Sequence, residues 1–111
     1  MSFKICAAAA AVLCAFALPA SAGVDNDAAL KVLKDSGCTK CHSVDKDKKG
    51  PSYKKIAEKY KGKPEGQDKV IKNMTTGPKV KLDDGTEEEH KIIKTKDEAQ
   101  WKNLAQWILS Q

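Results

Sequence analysis

Cys38-Thr39-Lys40-Cys41-His42 puts two thiols and an imidazole into five residues, and the rest of the chain is read around it. Three chemistries use a C-x-x-C without a prosthetic group. A redox-active dithiol expects a thioredoxin-like βαβ pattern nearby, and the sequence offers no convincing apolar/polar alternation for strands. A structural zinc site takes four ligands, and the only histidines available are His42 and His90. A plain disulfide is the third.

A fourth chemistry uses all five positions. C-x-x-C-H is the attachment signature of a c-type haem: both thiols add to the haem vinyl groups, and the following imidazole reaches the iron. The two-residue gap lets one turn of chain span the edge of the ring. This reading assigns Cys38 and Cys41 to covalent attachment of one haem c and His42 to the proximal iron position.

The N-terminal residues support it. Lys4 is followed by an unbroken apolar run from Ile5 to Leu18, then Pro19 and Ala20-Ser21-Ala22. That is the layout of a secretory signal peptide with an A-x-A cleavage site. The run is short against the roughly 20 apolar residues of a membrane-spanning helix. Residues 1–22 are therefore expected to be the signal peptide and 23–111 the domain, a periplasmic protein with no stable membrane insertion. Cys6 and Cys14 leave with the signal; Leu13 is bulkier than a lipoprotein site accepts before its cysteine. No other cysteine is then left to compete for Cys38 and Cys41.

The segment after residue 22 is 89 residues long, enough for one domain with a modest core. Its aromatics are Tyr53, Tyr60, Trp101 and Trp107 alone. A haem would fill the middle of such a domain. The segment carries 19 lysines, no arginine and 15 acidic residues, a net +4. Nucleic acid is excluded as a partner, because an exported chain seldom meets it and no arginine is present for bidentate contacts. The lysines are either a solvated surface or a docking face for acidic redox proteins. On the second reading Lys40, Lys46, Lys48 and Lys49 lie near the exposed haem edge.

Helical spacing predicts an all-α chain of about four helices. Asp25 or Asn26 caps a helix over residues 27–35, with Ala29, Leu30, Val32 and Leu33 apolar. Ser52 caps a second over 53–61, ended by Gly62, Pro64 and Gly66. A short third covers 67–74, with Val70, Ile71 and Met74 on one side. Thr86-x-x-Glu89 reads as a capping box for a single turn, and Thr95-x-x-Glu98 as the start of the last helix, which runs to about Ser110. That helix has an apolar stripe at Trp101, Leu104, Ala105, Trp107 and Ile108.

Four blocks of this sequence resemble the small monohaem class I cytochromes c of bacteria: Ser36-Gly37 with the C-x-x-C-H motif, Gly50-Pro51-Ser52-Tyr53, Ile71-Lys72-Asn73, and Leu104 to Gln111. The resemblance covers residues 29–111. It implies a class I cytochrome c-type fold around one covalent haem, with the first and last helices crossing and Leu33 meeting the last helix around Trp107. It also implies that the Pro51 carbonyl accepts a hydrogen bond from Nδ1–H of His42, leaving Nε2 for iron.

One feature departs from the family. Its second axial ligand is usually a methionine in a proline-rich loop before the last helix, and no methionine stands there. His90, 17 residues before Trp107, is close to that place. His90 is the expected distal ligand, with Met74 as the alternative and a vacant or water-bound position as a further one. Lys79 or Lys91 would have to lose a proton to ligate, which is unfavourable near neutral pH. Glu87, Glu88 and Glu89 are the expected acceptors for the unbound His90 ring nitrogen.

Two strong axial ligands leave no open site at iron, so the expected role is non-enzymatic: single-electron transfer between periplasmic redox proteins. Replacing a thioether by imidazole lowers the potential. The alternative is a protein that binds a diatomic gas or senses redox state through a labile His90. It is motivated by the few apolar anchors (Val80, Leu82, Ile92 and Ile93) in residues 75–95. A haem-free thiol–disulfide module is the third possibility.

Overall fold

A computed structural model describes residues 23–111. The expected signal segment, 1–22, lies outside the described residues. Helix α1 spans Asn26–Asp35, α2 Tyr53–Tyr60, α3 Gly66–Thr76 and α4 Glu98–Leu109, with a single 3-10 turn at Cys38–Lys40. Two strands, β1 (Lys79–Lys81) and β2 (Glu87–Glu89), form an antiparallel hairpin.

The helices start where capping side chains satisfy free N–H groups. Asp25 accepts from the Ala28 N–H, Ser52 from Lys55 and Asp97 from Ala99. Each such cap is worth about 1 kcal/mol. For α4 this corrects the expected Thr95 capping box. The Thr95 hydroxyl instead accepts from the Asp97 N–H (3.2 Å), and Asp97 is the cap.

Helix α4 is the central element, packing against α1, α2 and α3. Its stripe explains why: Leu104 and Ala105 are fully buried and Trp107 and Ile108 nearly so. They join Ala29, Val32 and Leu33 of α1, Tyr53 of α2, Val70 and Met74 of α3, and Ile93 in one core. Both indoles keep their polar edge satisfied. Trp107 Nε1–H donates to Asn26 Oδ1 (2.6 Å), and Trp101 Nε1–H to the Thr95 carbonyl (2.8 Å). Asn103 of α4 exchanges two hydrogen bonds with the Asp25 backbone, fixing the start of α1 on α4.

The hairpin departs from the expectation of helices alone, and of a capped helical turn at residues 86–89. Lys79 pairs with Glu89, Val80 with Glu88 and Lys81 with Glu87. Thr86 does not cap a helical turn: its N–H and hydroxyl both donate to Asp84 Oδ1 (2.9 and 2.6 Å), which closes the hairpin turn. Residues 75–95 are also better anchored than their few apolar side chains suggest. Beyond the ladder, His90 N–H donates to the Pro78 carbonyl (2.8 Å), Ile93 N–H to the Met74 carbonyl (2.9 Å) and Lys94 N–H to Ser36 Oγ (3.0 Å). Ile93 is itself buried in the core.

Candidate functional site

The C-x-x-C-H segment follows α1 directly. Gly37 ends that helix in a left-handed conformation, and the 3-10 turn carries Cys38 to Lys40. The N–H groups of Cys41 and His42 both donate to the Cys38 carbonyl (3.2 and 3.1 Å). This local winding brings both cysteines and His42 to the wall of one cavity of about 510 Å³. Cys38 and Cys41 are free thiols, and burial pushes the Cys38 thiol above its ordinary range.

The loop after the motif folds back to hold His42. Gly50 N–H donates to the Cys41 carbonyl (2.9 Å), and Tyr53 N–H to Ser43 (2.9 Å). Asp47 braces the turn from the side: Oδ1 accepts the Ser52 N–H (3.0 Å) and Oδ2 pairs with Lys55. Gly50 lies flat against the imidazole. A Cβ there would stand 2.6 Å from His42 Cε1, inside any permitted contact. Pro51 then presents its carbonyl to His42 Nδ1 at 2.6 Å. A carbonyl only accepts, so Nδ1 carries the proton and Nε2 keeps its lone pair. Burial lowers the His42 pKa, with the Pro51 hydrogen bond opposing and nearby His90 reinforcing. The ring is therefore neutral near pH 7, the form that binds a metal.

His90 enters the same cavity from the end of the hairpin. Its Nδ1 bonds the Lys91 carbonyl at 2.8 Å, which fixes the tautomer in the same sense and leaves Nε2 free. The acceptor is this backbone carbonyl rather than the expected glutamates of β2, although Glu88 and Glu89 line the same cavity. The two imidazole centres are 6.1 Å apart and 39° from parallel. A metal held between two imidazoles at about 2 Å per bond leaves the ring centres on the order of 6 Å apart, so the pair fits a shared iron. Met74 also lines the cavity, but it belongs to the core contributed by α3.

Tyr53 stood in the sequence as one of four aromatics and as the end of the Gly50–Tyr53 block, with no role at the site; it forms part of the wall. It is 3 % exposed, stacks on His42 at 5.4 Å and meets Trp107 edge-on at 5.4 Å. Its hydroxyl is buried without a hydrogen-bond partner among the described residues, and burial pushes the phenol well above its ordinary range. A buried orphan donor beside an apolar cavity, two free thiols and two oriented imidazoles all suit a haem. Among the described residues, no group of three or more His, Cys, Asp or Glu side chains is gathered as a zinc site requires. Among the described residues the one sheet is an antiparallel hairpin, not a βαβ unit.

Comparison with known proteins points the same way. Residues 28–111 match the cytochrome c family. The crystal structure of the class 1 cytochrome MtoD from Sideroxydans lithotrophicus ES-1 superposes with a TM-score of 0.75 at 53% identity, over 78% of this chain and 96% of that one. Cytochrome c-551 of Pseudomonas aeruginosa is 30% identical over 72% of this chain and 73% of its own length. Cytochrome c-551 of Allochromatium vinosum is 42% identical over 48 residues, so the match spans about half (51%) of that protein. The family's members are electron carriers with covalently bound haem c. With a match over nearly all the described residues, this chain belongs to the cytochrome c family, as a small, mostly helical class I member that carries haem c.

Proposed function

We propose that this protein is a periplasmic single-electron carrier whose haem is bonded to Cys38 and Cys41 and ligated by His42 and His90. One observation carries the ligand assignment: two imidazole centres lie 6.1 Å apart on one cavity, each ring held through Nδ1 by a backbone carbonyl. Holding both rings from behind removes rotational freedom that ligation would otherwise have to freeze, and it raises the basicity of each Nε2. The bound haem supplies a one-electron iron couple.

The protein's own groups set its terms. Two neutral imidazoles stabilise the ferric state better than an imidazole and a thioether, which places the potential on the low side for the family. With both axial positions taken by side chains, no substrate site is left at iron, and the role is relay rather than catalysis. The anchoring of residues 90–94 to Pro78, Met74 and Ser36 speaks against a labile distal ligand and hence against gas binding. Residues 1–22 act as the export signal, leaving 23–111 as the working domain. Among the described residues no helix is long and apolar enough to cross a membrane.

The test is spectroscopic, on protein matured in a host that assembles c-type haem. Intact mass should exceed the 23–111 polypeptide by one haem, and the ferric spectrum should be low-spin without the weak near-infrared band of sulfur–iron ligation. That band would assign Met74 instead. A mass equal to the bare chain would overturn the haem attachment.

A further inference from the structure

The turn between α3 and β1 approaches His90 more closely than any side chain would permit. Gly77 ends α3 in the left-handed conformation, with φ +61°. A Cβ at this position would stand 2.9 Å from the His90 carbonyl oxygen and 3.0 Å from Ile92 Cγ1. The next residue, Pro78, gives its carbonyl to the His90 N–H at 2.8 Å. Two adjacent residues thus meet the His90 backbone, one lying close to its carbonyl and the other hydrogen-bonding its N–H. The three atoms nearest to such a Cβ all belong to His90 and Ile92, so a side chain at 77 presses on that stretch.

We propose that Gly77 is the positioning residue for the second iron ligand. Its missing side chain sets how far the His90 imidazole reaches across the cavity toward His42. The inference rests on the assignment of His90 as the distal ligand.

The chain contains its own control. Gly62, after α2, has nearly the same left-handed conformation, φ +72°, but a Cβ there meets nothing within 4 Å. Gly62→Ala and Gly77→Ala therefore impose a similar backbone strain, and only the second also pushes on residues 90–92. Gly77→Asn complements them, since asparagine tolerates the left-handed region yet still carries the offending Cβ. It keeps the test open should Gly77→Ala fail to assemble.

The experiment records thermal midpoint, ferric electron paramagnetic resonance and carbon monoxide binding to the ferrous holoprotein, for these three variants and for His90→Ala. Gly62→Ala should lower the midpoint and leave the spectrum and carbon monoxide binding as in the unmodified protein. Gly77→Ala and Gly77→Asn should shift the low-spin signal or add a high-spin one, and should speed carbon monoxide binding by about tenfold or more, the scale of a local strain transferred to one bond. If His90→Ala becomes high-spin while both Gly77 variants keep the unmodified spectrum and binding rate, the positioning role is overturned. If His90→Ala itself stays low-spin, the ligand assignment falls, and the positioning role with it.

Discussion

At the scale of single residues, His42 is placed by contacts that leave no slack. Gly50 is in van der Waals contact with the ring, and Pro51 bonds its Nδ1. Gly50→Ala forces either the ring or the loop to move, an overpacking that costs about 1–3 kcal/mol. The denaturant midpoint of the holoprotein should fall accordingly. Asp47 gives a pH-dependent counterpart. Its bond to Lys55 first, and to the Ser52 N–H second, holds its carboxyl below the usual carboxylate range. A lowered folded pKa means the unfolded chain binds the proton more readily. The contribution is thus fully present above the free value of about 3.9 and disappears as pH falls through the lower folded value. Unfolding midpoints of the native protein and Asp47→Asn should differ at about pH 6, where the Asp47 carboxyl is ionised, and converge in stronger acid; a constant gap would show that Asp47 contributes no pH-dependent stability. The motif residues were legible because their spacing is a chemical requirement. The Tyr53 hydroxyl and the flat approach of Gly50 were not, because both depend on what the fold later sets beside them.

Among the elements, α4 holds the most packing. Leu104 is fully buried on a helix that meets the other three. Leu104→Ala should cost about 2–5 kcal/mol in denaturant unfolding, since the rigid surround cannot close over the space left. Trp101, on the same stripe, is only partly buried, and its replacement should cost less. Helices α1 and α2 were readable from apolar spacing and caps, and α4 from its apolar stripe alone, to within a residue or two at their ends. The hairpin was not. Lys-Val-Lys and Glu-Glu-Glu carry little intrinsic strand preference; they are matched by charge across the pair, Lys79 to Glu89 and Lys81 to Glu87, which becomes visible only once the register is known. Thr86 has the pattern of a capping box, but Asp84 captures its N–H and hydroxyl first. That competition turns the chain back and delivers His90 to the cavity.

For the whole molecule, charge and ligation decide how the carrier works. Lys40 in the motif turn and Lys46, Lys48 and Lys49 on the loop after it are exposed, and Lys49 lines the cavity; Lys48 also donates to the Thr39 carbonyl (2.8 Å). If they steer an acidic partner, the bimolecular electron-transfer rate should fall as salt rises, because such fields are screened within about 10 Å at 0.1 M. A flat dependence would leave them as solubilising charge. On the proposed ligation the cavity holds one haem between two histidines supplied by separate parts of the chain, one after α1 and one after the hairpin. The most direct test is the ferric electron paramagnetic resonance spectrum of the His90→Ala holoprotein beside that of the native one. A low-spin native signal giving way to a high-spin signal in the variant is the predicted result; an unchanged low-spin signal in His90→Ala would contradict it.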